Sequence, residues 1–213
     1  MIRWGCPPVK NPCQLCQRTR AKRQCPGVQA DICPGCCGAE RENTIDCPLA
    51  CGYLQEARQH ERPVEIPEDQ FPNPDIRLTE DFVRQQEPLV VWLSVALAES
   101  VRKERAVDSD AREALEAMIR TYRTLQSGLI YETRPQNVYA AAIQEALKQS
   151  VEDLRSRLAE SGKVAVRDAD VLGGLVFLQR LGLRHNNGRR RGRAFVQFLS
   201  SMLSTLPAES ALA

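Results

Sequence analysis

The stretch from residue 13 to residue 37 begins with Cys13-Gln-Leu-Cys16 and ends with Cys33-Pro-Gly-Cys36-Cys37. Each Cys-x-x-Cys turn points two sulfur atoms to one side of the backbone, and the 16 residues between the turns match the spacing of four-cysteine zinc sites. Two such turns that face each other give a tetrahedral site. The spacing therefore predicts that Cys13, Cys16, Cys33 and Cys36 bind one Zn²⁺ ion.

All 9 cysteines of the chain lie within its first 51 residues. Along the chain, the remaining cysteines are interspersed with those of the first set. This order predicts a second zinc site whose ligands interleave in sequence with those of the first site. We expect the ligands of this second site to be Cys25, Cys37, Cys47 and Cys51. Because Cys36 and Cys37 are adjacent, they can exchange roles, and Cys6 or His60 is an alternative ligand.

A disulfide framework is the main alternative to zinc. Residues 1–8 contain no apolar run typical of a signal peptide, so we expect the chain to stay in a reducing cytoplasm, where disulfides do not persist. An odd number of cysteines also fits complete pairing poorly, whereas eight ligands and one spare fit two tetrahedral sites. Residues 1–60 hold too few large apolar side chains for a core, so we expect two structural Zn²⁺ ions to stabilise the module.

The cysteines also occur in a recognisable string. Cys33-Pro-Gly-Cys-Cys-Gly-Ala-Glu-Arg41 is followed by Ile45-Asp-Cys-Pro-Leu-Ala-Cys-Gly-Tyr-Leu54. With this string, residues 10–60 resemble the N-termini of uncharacterised bacterial proteins that have a comparable cysteine-rich start. The resemblance implies a zinc-ribbon-like or treble-clef-like module and no biochemical activity.

Apolar side chains recur with a helical period from residue 79 to residue 207, with turn signals between the segments. The pattern predicts a bundle of about five helices with its own core. The expected helices begin after Pro88, after Asp110, at Pro135 and near Asp168, and the last carries Phe195 and ends before Pro207. Gly173 and Gly174 lie inside the fourth helix, where they permit either a close approach by another helix or a break.

These features predict a mainly α fold in four parts. Residues 1–60 form the cysteine-rich zinc-binding module, 61–78 a proline-rich acidic linker, 79–207 the α-helical bundle and 208–213 a tail. The apolar stripes of the helices are expected to face the core of the bundle, and a homo-oligomer seam is the alternative. The most apolar helix is too short for a membrane span, so no membrane partner is expected.

Two basic segments are candidates for nucleic-acid binding. Arg18, Arg20 and Lys22 alternate along the chain and are expected on one face of a strand. The segment between the last two helices is rich in arginine and includes Arg184, Arg189, Arg190, Arg191 and Arg193. Both segments can contact phosphate groups. Two observations argue against nucleic-acid binding: the net charge is only +2, and no aromatic residues are interleaved with the arginines. The alternative for the first segment is a solvated strand edge, and the alternative for the second is a basic turn that pairs with the acidic linker.

The sequence contains no paired catalytic carboxylates, no Ser-His-Asp order, no glycine-rich phosphate loop and no histidine pair of a metal hydrolase. We therefore expect a cytoplasmic protein that is not an enzyme. Its expected function is that of a zinc-binding protein-interaction or adaptor module with an unidentified protein partner. Binding of RNA or DNA is one alternative, and zinc-thiolate redox sensing is another.

Overall fold

The structure, a computed structural model, describes residues 10–205 of the 213-residue chain. It is mainly helical, with one small sheet near the N-terminus. The predicted fold class, a small cysteine-rich module followed by a helical bundle, is therefore confirmed. The chain forms two compact units. The described part of the first unit extends to Glu61 and also includes Gly188–Arg191, and that of the second contains Arg62–Asn187 and residues 192–205.

The first unit is built around one hairpin and two short helices. Its elements are β1 (Arg23–Cys25), β2 (Ala30–Ile32), α1 (Pro34–Glu40) and α2 (Gly52–Arg58). The strands are antiparallel, with Cys25 opposite Ala30 in the ladder. The turn between the strands requires a glycine, because a Cβ atom on Gly27 would lie 2.7 Å from the carbonyl oxygen of Asp46.

Cysteine side chains make up much of the core of the first unit. Among the described residues of this unit, the large aliphatic side chains buried with the cysteines are those of Ile32, Ile45 and Leu54. A core this small stabilises a fold only weakly, and units of this size usually need a metal or disulfides as well.

The segment Gly188–Arg191 is remote in sequence from the rest of the first unit but is bonded to it through its backbone. The N–H group of Arg191 donates to the carbonyl oxygen of Glu42 at 2.7 Å. Glu42 is itself fully buried, and its carboxylate pairs with Arg58 at 2.6 Å. The turn at Glu42 therefore anchors the remote segment within the first unit.

The described part of the second unit contains the 3-10 helix Glu68–Gln70, one short α-helix and five longer ones. Its α-helices are α3 (Glu80–Gln85), α4 (Glu87–Glu104), α5 (Asp108–Gln126), α6 (Val138–Glu160), α7 (Asp168–Arg184) and α8 (Ala194–Thr205). The predicted bundle of about five helices is thus confirmed, and α3 is an addition to it. No helix within residues 10–205 has both the length and the apolar character needed to cross a membrane.

The five longer helices enclose one apolar core. α5 packs against α6 and α7, and α4 packs against α6, α7 and α8. α7 continues through Gly173 and Gly174, so the two glycines do not break it. A Cβ atom on Gly173 would collide with the ring of Phe82, and one on Gly174 would lie 2.9 Å from a methyl group of Leu93. The sequence left two alternatives for these glycines, a break in the helix or a close approach by another helix. The structure shows the close approach.

Of the predicted linker, residues 61–78, Glu61 belongs to the first unit and residues 62–78 belong to the second. The guanidinium group of Arg180 donates to the carbonyl oxygens of Asn73 at 2.6 Å and Ile76 at 3.0 Å. Arg123 donates to the side-chain oxygen of Asn73 at 2.8 Å and pairs with Asp75 at 2.7 Å. These bonds hold the segment against α5 and α7.

Candidate metal centre

The first Cys-x-x-Cys turn is held against β2. The N–H group of Gln14 donates to the carbonyl oxygen of Asp31 at 3.1 Å. The turn is closed by the N–H group of Gln17, which donates to the carbonyl oxygen of Cys13 at 2.8 Å, and Gln17 has a φ of 53°. This tight turn places the side chains of Cys13 and Cys16 on one side of the chain.

The second Cys-x-x-Cys turn follows β2 directly and begins α1. Cys33 is the N-cap residue of this helix, and its sulfur accepts a hydrogen bond from the N–H group of Cys36 at 3.4 Å. Pro34 occupies the first turn, where its missing N–H group costs no helical hydrogen bond. Cys36 lies one helical turn after Cys33, so their sulfurs face the same side. This order of turn, hairpin and helix fits the treble-clef-like form of the predicted module.

The two turns bring four sulfur atoms together. Those of Cys13, Cys16, Cys33 and Cys36 all lie within 4.8 Å of one another. The sulfurs of Cys16 and Cys33 are 4.0 Å apart. A tetrahedral site with Zn–S bonds of about 2.3 Å needs sulfurs about 3.8 Å apart, so the group can hold a metal ion such as zinc. Four thiolates complete the tetrahedron and leave no position for water or substrate.

Hydrogen bonds shift the pKa values within this group in opposite directions. Backbone N–H groups, that of Arg18 first, lower the pKa of Cys16 to about 6. Burial acts to raise the pKa of Cys13, but backbone hydrogen bonds outweigh it and lower the pKa. Hydrogen bonds with the sulfurs of Cys33 and Cys16 raise the pKa of Cys36 to about 12. A bound cation replaces the protons that the sulfurs otherwise share, so metal binding weakens at low pH.

The four cysteines of the predicted second site line one small cavity in the first unit, which we call the second cavity. Cys25, Cys37 and Cys47 are buried, and Cys51 is half-buried. Burial raises the pKa of Cys47. Unlike the sulfurs of the first group, no three of these four described sulfurs form a group within 4.8 Å of one another.

Two arginines line the second cavity as well. The guanidinium group of Arg23 donates to the sulfur of Cys37 at 3.3 Å and lies 4.6 Å from the ring centre of Tyr53. The Nε atom of Arg41 is buried and has no hydrogen-bond partner among the described residues. Neither arginine is among the predicted site residues. A signal for Arg23 is its position two residues before Cys25, since alternate residues of a strand share a face.

The structure also places the alternative ligands. Cys36 belongs to the first group, and the adjacent Cys37 lines the second cavity. His60 is exposed and, within the described chain, is part of neither set. Cys6 lies outside the described residues.

Arg18, Arg20 and Lys22 do not lie on a strand, so this structural prediction is wrong. The stretch forms a bend, with an isolated bridge at Arg20. The backbone N–H groups of Arg18 and Thr19 are hydrogen-bonded to the sulfur of Cys16 and therefore cannot join a strand ladder. The three basic side chains are nevertheless exposed.

The predicted arginine-rich site is divided between the two units. The first unit includes Arg189, Arg190 and Arg191, and the second includes Arg184 and Arg193. The guanidinium group of Arg189 donates to the carbonyl oxygen of Arg41 at 2.6 Å. That of Arg193 donates to the carbonyl oxygen of Ala106 at 3.0 Å. Two of these arginines are therefore bonded to backbone carbonyls within their own units.

A comparison with known proteins finds no protein-family model that matches this chain, no similar curated protein and no similar solved structure. Conclusions about function therefore rest on the fold and on the cysteine groups. The resemblance of residues 10–60 to uncharacterised bacterial proteins stays a prediction. Cytoplasmic location, nucleic-acid binding and redox sensing stay predictions too.

Proposed function

We propose that this protein is a zinc-binding adaptor that is not an enzyme, and that it carries two structural Zn²⁺ ions. The observation that carries the proposal is the group of four cysteine sulfurs within 4.8 Å of one another. A catalytic zinc keeps one position for water or substrate and usually has histidine among its ligands. A site with four sulfurs instead stabilises the fold around it.

Exposed apolar side chains support a protein as the partner. The loop before α6 and the start of that helix carry Leu129, Ile130, Tyr131, Val138 and Tyr139 at the surface. The side chain of Ile130 is 98% exposed. The backbone of the loop is fixed at Tyr131, the residue after Ile130, because the hydroxyl of Thr124 donates to the carbonyl oxygen of Tyr131 at 2.9 Å. Exposed apolar groups on an ordered backbone are typical of surfaces that bind proteins, and the proposed partner presents an apolar pocket to Ile130.

The adaptor role is tested by binding measurements on the full, zinc-loaded chain. A photo-crosslinking amino acid at Tyr131 captures candidate partners, and each candidate is then purified and titrated by calorimetry. We expect Ile130→Asp to weaken binding by at least about tenfold. Val164→Asp is the matched control, since Val164 is an apolar side chain that is 90% exposed on a different loop. Equal binding by the two variants and the unchanged protein would show that Ile130 is not part of the binding surface, and failure of every captured candidate to bind the unchanged protein would refute the adaptor role.

Metal analysis tests the zinc part of the proposal separately. Native mass spectrometry counts the ions bound to protein purified under reducing conditions without a chelator. We expect two zinc ions per chain. Protein that is folded but contains no zinc would overturn this part of the proposal, whatever the binding measurements give.

Nucleic-acid binding is a second candidate, and one observation favours it. Arg18, Arg20 and Lys22 are exposed in the first unit, close to the first group of cysteines in sequence. Such side chains can contact phosphates, and binding of this kind weakens steeply as salt rises. Electrophoretic shifts with RNA and DNA at several salt concentrations test it. A salt-dependent shift that is lost when all three residues become alanine would support this function, and no shift at low salt would exclude it.

A further inference from the structure

We infer that the second cavity binds the second Zn²⁺ ion through its four cysteine sulfurs, and that Arg23 and Arg41 offset the charge of this site. The inference rests on the proposed function, which requires a second ion but does not locate it. Three observations carry it: the origin of the four cysteines, the charge of the two arginines and the contrast with the first group.

The four cysteines reach the cavity from four separate places in the first unit. They come from β1, from α1, from the loop after α1 and from the residue that caps α2. None of the four is part of a disulfide. Their convergence is therefore a product of the tertiary fold and not of one short motif. An ion held by all four would join elements that share only a small apolar core, which is what a structural zinc does in small units.

The two arginines match the charge of a zinc site and not that of four neutral thiols. Four thiolates and one Zn²⁺ ion carry a net charge of −2, and two guanidinium groups offset it. Arg23 already donates to the sulfur of Cys37 at 3.3 Å. The Nε atom of Arg41 is buried without a hydrogen-bond partner in the described chain. Such a donor is costly to leave unpaired, and a thiolate is a far better acceptor for it than a thiol.

The two cysteine groups differ in one kind of hydrogen-bond donor. In the first group, backbone N–H groups donate to the sulfurs of Cys13 and Cys16. In the second cavity, the backbone of Glu42 likewise bonds to the sulfur of Cys47, but the sulfur of Cys37 accepts from a side chain, that of Arg23. Side-chain donors can be removed by substitution, and loss of such outer partners typically weakens metal binding about 10- to 100-fold. The second ion should therefore depend on Arg23, and the first should not.

Ion counting on variants of the full chain locates the second ion. Native mass spectrometry should find two zinc ions in the unchanged protein, and one in Cys47→Ser as well as in Cys13→Ser. If the unchanged protein binds one ion and Cys47→Ser also binds one, the inference is overturned while zinc binding at the first group stands. If the unchanged protein binds none, the proposed function fails first.

A second variant keeps the test decisive if Cys47→Ser does not fold. Cys47→His supplies a nitrogen ligand at the same position, so it should bind two Co²⁺ ions but lose part of the sulfur-to-cobalt charge-transfer absorption. The loss should be about one eighth, since one of eight Co–S bonds is replaced. An unchanged absorption spectrum with two bound ions would show that Cys47 is not a ligand and would overturn the inference.

The role of Arg23 is tested by the affinity of each ion. In Arg23→Met, competition with a chelator should show the second ion bound about 10- to 100-fold more weakly and the first ion unchanged. Arg23→Lys, which keeps the charge, should recover part of the loss. Arg20→Met is the matched control, because Arg20 is an exposed arginine of the same unit that does not line the cavity. Equal affinities in Arg23→Met and Arg20→Met would overturn the role given to Arg23.

Discussion

Removal of zinc from the intact protein should unfold the first unit and leave the second folded. Burial of Ile32, Ile45 and Leu54 contributes about 1.5 to 3 kcal/mol for each side chain, or roughly 5 to 9 kcal/mol together. One structural zinc site contributes about 10 to 16 kcal/mol of apparent binding free energy. The metal contribution exceeds the apolar contribution even for a single ion, so the first unit should not stay folded without it. The helices of the second unit enclose their own core, and the described residues of this unit contain no group of three or more potential metal ligands.

Hydrogen exchange measured by mass spectrometry before and after chelation, with reductant present, tests this prediction. Amides of β1, β2 and α1 should lose protection by more than about a thousandfold, which corresponds to about 4 kcal/mol. Amides of α4 to α7 should keep theirs. The amide of Arg191 gives a sharp check, because it donates to the carbonyl oxygen of Glu42 at 2.7 Å. It should lose protection together with the first unit, although it lies between α7 and α8 in sequence.

Two results would contradict this reasoning. If metal analysis confirms complete removal of zinc and the amides of β1 and β2 stay protected, the first unit does not depend on metal. If the amides of α4 to α7 lose protection as well, the second unit is not stable by itself. A mock treatment with zinc-saturated chelator is the control for effects of the chelator alone.

Three further predictions concern the stability of each unit. Gly27→Ala should weaken zinc binding by about 1 to 3 kcal/mol in competition with a chelator, because its Cβ atom would lie 2.7 Å from the carbonyl oxygen of Asp46. Gly38→Ala, whose Cβ atom would have no neighbour within 4 Å, should show no such loss. Asp108→Ala should lower the free energy of unfolding of the second unit by about 2 to 4 kcal/mol in urea titrations, because its carboxylate accepts hydrogen bonds at 3.0 and 3.2 Å from two N–H groups at the start of α8. Burial, followed by the charge of a neighbouring arginine, lowers the pKa of His185 below its ordinary 6.5. The unfolded chain therefore takes up this proton first as the pH falls below 6.5, so acid should destabilise the second unit, and His185→Phe should remove that part of the pH dependence.

Local features of the chain were predictable from the sequence. The spacing Cys13-x-x-Cys16 and Cys33-x-x-Cys36 fixes two short turns, and turns of this kind depend on few residues outside themselves. The long helices were predicted from apolar side chains that recur with a helical period, because these side chains mark the face of each helix that packs against the core. The second set of cysteines could be proposed by elimination, but its arrangement around one cavity depends on how β1, α1 and α2 pack.

Features that depend on particular hydrogen bonds, and not on a repeating sequence pattern, were not predictable. The alternation of Arg18, Arg20 and Lys22 indicates a strand, yet the backbone there donates to a cysteine sulfur instead. Nothing in the sequence around Gly188–Arg191 indicates that this segment belongs to the first unit, since its bonds are made to a turn that is far away in sequence. The hydrogen bonds at Asn73 could not be predicted for the same reason, because Arg123 and Arg180 lie on helices that are far from Asn73 in sequence.

The charge of the first unit changes the interpretation of the arginine-rich turn. The described part of this unit contains ten basic and six acidic side chains, a surplus of four positive charges, and Arg189, Arg190 and Arg191 provide three of them. Two zinc tetrathiolate sites carry −2 each, so the unit is close to neutral with these arginines and has a net charge of about −3 without them. Like charges within a compact unit destabilise it, and the arginines relieve that repulsion. Replacement of Arg189, Arg190 and Arg191 by glutamine should therefore lower the zinc affinity of the first unit, even when no nucleic acid is present. If these arginines serve only to contact phosphate, the replacement would leave the zinc affinity unchanged.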